Sequence, residues 1–449
     1  MGCGDRTDDL HFKLRKHSIL YSKPVKMRLL NIIVIISLTA CTQGCKKSVE
    51  TQAEPVVSPT TGTRAQFTLD SIYLYAKQIY LWQDTLPAYA DFNPRKYAAT
   101  TTALNAFEAE LFDISQLKVN PQTGISYEAS VDPGSPKYSF LTESSNGGSL
   151  AVVGSPEQAA VLKDTVIIHN NKPVAYIALG AFPELSTCQA ALDGAFANLA
   201  AANPQQLIVD LRSNGGGFVE TAEYVADLIA PAALNGQVMF SEQYNSLLQA
   251  GDAGILRHQP YLDANGNTVT YEGRTATLAD VDYTVAGNTH RFSKKGNLQS
   301  VKEIYFITSS RTASASELLI SSMKPYFNVK LVGGTTYGKP VGFFSVTIDI
   351  YSVYLSGFLI SNAQGWSDYF QGMPADVVVE EQDSPILGDP AEPCFSSALR
   401  LIDGASVNTA QQAARGQTTT VNTVFKSMPV PNSSASGGMV ENRLKLKIN

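Results

Sequence analysis

Three times along the middle of the chain a short run of β-branched and apolar residues is followed by a small-residue turn. Gln206–Leu211 runs into Arg212-Ser213-Asn214-Gly215-Gly216-Gly217, Glu303–Ile307 into Thr308–Ser314, and Val329–Val332 into Gly333–Lys339. Apolar runs this short, bounded by Gly and Ser, predict buried strands. Helical spacing follows the first two: Phe218, Ala222, Val225 and Ile229 share one face, and Ser314–Lys324 reads as a helix stopped by Pro325. Upstream, Val174–Leu179 predicts a strand, and Leu185, Cys188, Leu192, Phe196 and Leu199 predict a helix. Strand and helix thus alternate, which predicts an α/β core. Crossover connections of this kind place strand-to-helix turns and following strand exits on one sheet edge, where Ser314 and Lys339 can meet.

Outside this core the pattern changes. Leu69, Ile72, Tyr73, Ala76, Ile79 and Tyr80 recur at helical spacing, as do Leu104, Phe107 and Leu111, predicting a small helical domain over 66–145. Residues 146–170 read as a linker and 171–403 as the core, within which 234–300 is polar and reads as an insertion that covers it as a flap. Beyond Lys339, Phe343–Ile350 and Tyr354–Ile360 alternate like paired strands, and 404–449 is a Gln/Thr/Asn/Ser-rich tail with the composition of disorder.

The first residues carry targeting information. Met27-Arg28 precedes Leu29–Leu38, about ten apolar residues ending in Leu38-Thr39-Ala40-Cys41, a stretch too short to span a bilayer as a helix. It resembles a bacterial lipoprotein signal, which implies translation from Met27, an over-extended 1–26, a lipidated Cys41 and a tether over 42–65. That places the protein in the cell envelope, attached to a membrane. Cys45, Cys188 and Cys394 have the spacing of neither a metal site nor a disulfide framework, and Cys188 falls on an apolar helix face.

A hydrophobic content of 44% over 449 residues is enough for two or three cored domains. The net charge of −6, without any basic block, removes nucleic acid as a partner. None of the five histidines lies in the three turns; His169 is the nearest rival and sits at a strand margin.

Each candidate residue has a plain structural use. Ser314-Ala315-Ser316-Glu317 is also a capping box, Lys339 sits in a Gly/Pro turn where lysines are ordinarily solvated, and three glycines are a tight turn. Together and in order, Asp210–Gly217, Thr312–Glu317 and Gly338-Lys339 resemble the tail-specific, or C-terminal processing, serine peptidase family. The resemblance spans roughly 171–403 and implies a crotonase/Clp-protease-like core of ββα units. It implies Ser314 as nucleophile, Lys339 as general base, and the N–H groups of Gly216 and Ala315 as the oxyanion hole, with a protein or peptide substrate and no cofactor. The helical segment, with Asp70–Trp82 and Phe92–Tyr97, resembles the N-terminal domain of lipoprotein members of that family. Two departures stand out. The stretch 142–172 is too short for a complete PDZ domain, leaving at most a remnant, and Phe343 stands where many members carry a glutamine four residues after the lysine. The competing readings are a non-catalytic lipoprotein of the same fold that binds peptides or glycans, and a crotonase-like acyl-CoA enzyme, for which the chain offers no adenine or pantetheine site.

Overall fold

The computed structural model describes residues 59–99, 102–130, 133–143, 159–263, 266–380, 382, 385–406, 439, 441 and 443–447. All of these belong to one compact unit, Pro55–Asn449. The expected signal, Cys41 and most of the tether lie outside them. Among the described residues no helix is long and apolar enough to cross a membrane.

The centre is a six-stranded sheet in the order Val377–Val378, Asn328–Gly333, Glu303–Thr308, Gln206–Asp210, Lys172–Leu179, Val161–His169. All neighbours are parallel except the last pair, which is antiparallel. Side chains alternate between the faces of a strand, and here both faces are covered. Ala175, Ile177, Leu207, Val209, Ile304 and Phe306 enter one core together with the helices Leu185–Ala201, Val219–Ile229 and Ala315–Met323. Val174, Tyr176, Ile208, Tyr305 and Ile307 face the other way, against Phe395 and Ala398 of the helix Pro393–Ile402. This is the expected mixed α/β core, and Cys188 is buried within it.

Several elements depart from the sequence pattern. Val161–His169, in the segment read as linker, is the edge strand of the sheet; it is half-exposed along both faces, so it lacks the apolar alternation that marks a strand. Ser345–Ile348 pairs with Tyr351–Tyr354 through a tight turn at Asp349, whereas Phe358–Asn362 pairs with Val238–Tyr244 in a separate four-stranded sheet. Met239, Phe240 and Tyr244 of that sheet are buried, so this part of 234–300 is built into the body and is not a flap over it. Residues 407–438 of the tail lie outside the described set, but its end docks: Leu446 bridges Val281, and Met439 and Glu441 pair with the backbone of Phe343.

The N-terminal helices share the main core. Arg64–Ile79 starts at a Thr63/Gln66 capping box and buries Leu69, Ile72, Tyr73, Ala76 and Ile79. It is fixed to the body by Asn245 Nδ2 donating to the carbonyls of Gln78 and Tyr80 (both 2.9 Å) and by Gln259 Nε2 donating to Tyr75 Oη (2.6 Å).

Candidate active site

The three small-residue turns emerge at the carboxyl ends of adjacent parallel strands, where crevices form in α/β sheets. The first two are stitched together. Ala313 N–H and Ser316 Oγ both donate to the Asn214 carbonyl, Thr312 Oγ1 donates to the Leu211 carbonyl, and Ser309 Oγ donates to the Arg212 carbonyl. The base of this assembly is a buried ion network: Arg212 lies between Asp210 (3.0 Å) and Glu392 (2.7 Å), and the carboxylates hold its guanidinium firmly charged.

Ser314 sits just before its helix with φ 63° and ψ −118°. A non-glycine residue there stores roughly 1–3 kcal/mol, tolerated only when the surroundings over-determine it. The residue is fully buried, and its hydroxyl has no hydrogen-bond partner. The expected capping box with Glu317 is present: Glu317 accepts the Ser314 N–H at 2.9 Å, while the serine oxygen faces the Glu317 N–H without the geometry of a full hydrogen bond. Gly216 packs directly on it. A Cβ added to Gly216 would lie 2.7 Å from Ser314 Cβ, and one added to Gly217 would lie 2.0 Å from the Phe182 carbonyl oxygen, so the loop's approach requires glycine at both positions.

Lys339 is brought to the same place through Glu317. That carboxylate, fully buried, accepts from Ser314 N–H, Lys339 N–H (2.8 Å), Gly338 N–H (2.8 Å) and Thr336 Oγ1 (2.5 Å). One side chain thus ties the helix start to the lysine loop. Lys339 is 5% exposed and its Nζ lies 4.6 Å from the centroid of the Phe343 ring. Burial pushes its amine down to about 8; the carboxylates of Glu128 and Glu317 pull the other way, and Lys137 reinforces the depression. Ala315, the first residue of its helix, has an N–H with no intrahelical acceptor. Gly216 N–H differs from expectation in one respect: it donates to Asn214 Oδ1 at 2.9 Å.

The aromatic wall around the lysine was not visible in the motifs. Tyr138, Val341, Phe343, Tyr354 and Phe370 form one cluster, with Trp82, Tyr127 and Phe140 from the N-terminal segment packed against it. Tyr138 Oη donates to the Gly338 carbonyl at 2.5 Å. Beneath it Glu128, completely buried, accepts from Tyr80 Oη, the N–H groups of Tyr138 and Ser139, and the hydroxyls of Ser139 and Ser356. Tyr138 lies 200 residues from Gly338, so no local signal connects the two. His169, the alternative considered from sequence, pairs with Asp403 at 2.8 Å on the sheet edge, away from these groups.

The α/β core thus gathers a buried serine, a desolvated lysine and a glycine turn at one strand edge. Residues 173–363 match the description Peptidase family S41. Among solved structures the chain is similar to a putative S41 protease from Bacteroides fragilis (21% identity, TM-score 0.41), covering 55% of this chain and 58% of that one. It is also similar to a photosystem II D1 C-terminal processing protease (13% identity, TM-score 0.41; 74% of this chain, 97% of that one). A third similarity is to a lipoprotein from Streptococcus agalactiae (16% identity, TM-score 0.40; 72% and 94%). No curated protein matches the chain.

Proposed function

We propose that this protein is a serine endopeptidase that cleaves peptide bonds in cell-envelope proteins or peptides through a Ser314–Lys339 dyad. The observation that supports this reading is the Glu317 bracket: one buried carboxylate accepts the backbone N–H of both Ser314 and Lys339, and burial pushes the Lys339 amine down to about 8.

Serine attacks only when its proton is taken, and an ammonium cannot take it. The neutral Lys339 amine accepts the Ser314 proton as Oγ bonds to the substrate carbonyl carbon. The developing oxyanion accepts from Ala315 N–H and from Gly216 N–H once the latter turns from Asn214; each such donor is worth about 3–4 kcal/mol at related sites. The Lys339 ammonium then protonates the leaving amine as the C–N bond breaks. The neutral amine next takes a proton from water, whose oxygen attacks the acyl ester, and returns it to Ser314 Oγ. Phe343 serves by excluding water from the amine. Both Ser314 and Lys339 are buried in this conformation, so substrate enters by displacing part of their cover.

The remainder of the proposal concerns placement: translation from Met27, lipidation of Cys41, a tether to about residue 65 and substrates within the envelope. Incubating the protein with a denatured protein substrate and mapping the new termini by mass spectrometry tests the activity. Cleavage by wild type and none by Ser314→Ala is expected. No cleavage by either protein, with peptide still bound, would replace the peptidase reading by a non-catalytic binding role, and equal cleavage by both would remove Ser314 from the chemistry.

A further inference from the structure

Away from the serine and lysine, the end of the tail meets the body at a cluster of ionisable groups that the peptidase chemistry does not use. Glu242 and His290 come from neighbouring strands of the four-stranded sheet, Glu223 from the helix Val219–Ile229, and Glu441 and Arg443 from the docked tail segment. The imidazole is fixed on three sides. Its ring stacks on Phe240 with centroids 4.3 Å apart and planes 11° from parallel, and Nδ1 lies 3.1 Å from Glu223 Oε2. Nε2 faces Glu242 Oε1 at 3.6 Å. Glu242 is completely buried; Tyr244 Oη donates to its Oε2, while Oε1 has no hydrogen-bond partner. One donor atom each from Glu242, His290 and Glu441 lies within 4.8 Å of the others.

We propose that Glu242, His290 and Glu441 bind a divalent transition-metal cation of the zinc class, and that this ion clasps the tail onto the body. A separation of 3.6 Å is long for a hydrogen bond but close to the ~3.4 Å that two donors ~2.1 Å from one tetrahedral ion adopt. A histidine whose second nitrogen is held by a carboxylate is the usual orientation of a metal ligand, and Glu223 supplies that carboxylate. Charge points the same way. Glu223, Glu242 and Glu441 face the single guanidinium of Arg443, which pairs with Glu223 at 2.9 Å and Glu441 at 3.0 Å. A dication adds positive charge where three carboxyl groups meet one guanidinium. One imidazole with two carboxylates suits zinc or manganese better than calcium, which prefers oxygen alone. Because Glu441 belongs to the segment whose backbone pairs with Phe343, the ion holds that pairing in place beside the residue lying over Lys339.

The test uses the whole protein, expressed without a histidine tag, stripped with chelator and titrated with zinc sulfate by calorimetry, with metal content measured after desalting. One equivalent is expected, with an X-ray absorption spectrum of nitrogen and oxygen neighbours and no sulfur. Hydrogen exchange over 439–447 should slow on loading. Glu242→Gln, and Glu441→Gln on the tail where folding is least at risk, should each weaken zinc binding at least tenfold. Less than one equivalent, sulfur neighbours, affinity unchanged in Glu441→Gln, or exchange in the tail unaltered by zinc would each overturn the proposal.

Discussion

Replacing Phe343 with glutamine tests why Lys339 is a usable base. The folded chain lowers the amine from the ordinary 10.5 to about 8, chiefly by burial. That difference corresponds to roughly 3 kcal/mol against the ammonium. At pH 7 about one amine in ten is then neutral, against about one in three thousand for a solvated lysine. The sign is fixed by the neutral form being the active one: turnover is low below pH 8 and rises through it. In Phe343→Gln the side-chain carbonyl and admitted water stabilise the ammonium by about 1.5–3 kcal/mol as a charged hydrogen bond, and the lost ring contact gives back about 0.5–2. A net of about 1 kcal/mol moves the acid limb of kcat/KM up by a little under one pH unit and lowers the rate at pH 7 about fivefold. The assay is kcat/KM on one peptide from pH 6 to 10, with urea melts in parallel because truncating a fully buried aromatic costs about 3 kcal/mol or more. The same burial makes an independent statement about stability. Between pH 8 and 10.5 the unfolded chain binds the proton that the folded chain has lost, so wild type gains stability as pH rises across that window. Lys339→Met should therefore be more stable than wild type at pH 7, by up to about 3 kcal/mol, with the advantage shrinking toward pH 10.5. An acid limb that stays put or moves down in Phe343→Gln, or a Lys339→Met advantage that ignores pH, would refute the reasoning.

Three further outcomes follow from the geometry. Gly216→Ala, whose Cβ would press to 2.7 Å from Ser314 Cβ, should cut kcat at least about a hundredfold, because displacing a reacting atom by about 1 Å costs that much, while circular dichroism stays native. Glu317→Gln leaves one acceptor oxygen for four donors; urea melts should show a loss of about 2–5 kcal/mol, and the acid limb of the residual activity should move to lower pH because a carboxylate supporting the ammonium is gone. Tyr138→Phe removes the hydrogen bond to the Gly338 carbonyl and should cost about 1 kcal/mol, read by the same melts.

What could be read from the sequence was what is local. Each of the three turns follows its own strand within a few residues, so Gly216, Ser314, Ala315 and Lys339 could be named as candidates, and the fold gathers their segments at one sheet edge. Glu317 was legible only as a helix cap, since its acceptance from Thr336, Gly338 and Lys339 spans about twenty residues of intervening chain. Glu128, Lys137 and Tyr138 carry no motif; they reach the site because the N-terminal segment folds back over the lysine loop. The edge strand Val161–His169 was missed because neither of its faces is fully buried, and the docked end of the tail because its attachment is through backbone pairing and ion pairs.

The most direct test of the central claim is covalent. The protein is treated with a fluorophosphonate probe at pH 6, 8 and 9.5, and the adduct is located by tandem mass spectrometry of its peptides. The account predicts a single adduct on Ser314, forming faster as pH rises through about 8 and absent in Lys339→Met. An adduct on another serine, or labelling of Ser314 that proceeds at the wild-type rate without Lys339, would contradict it.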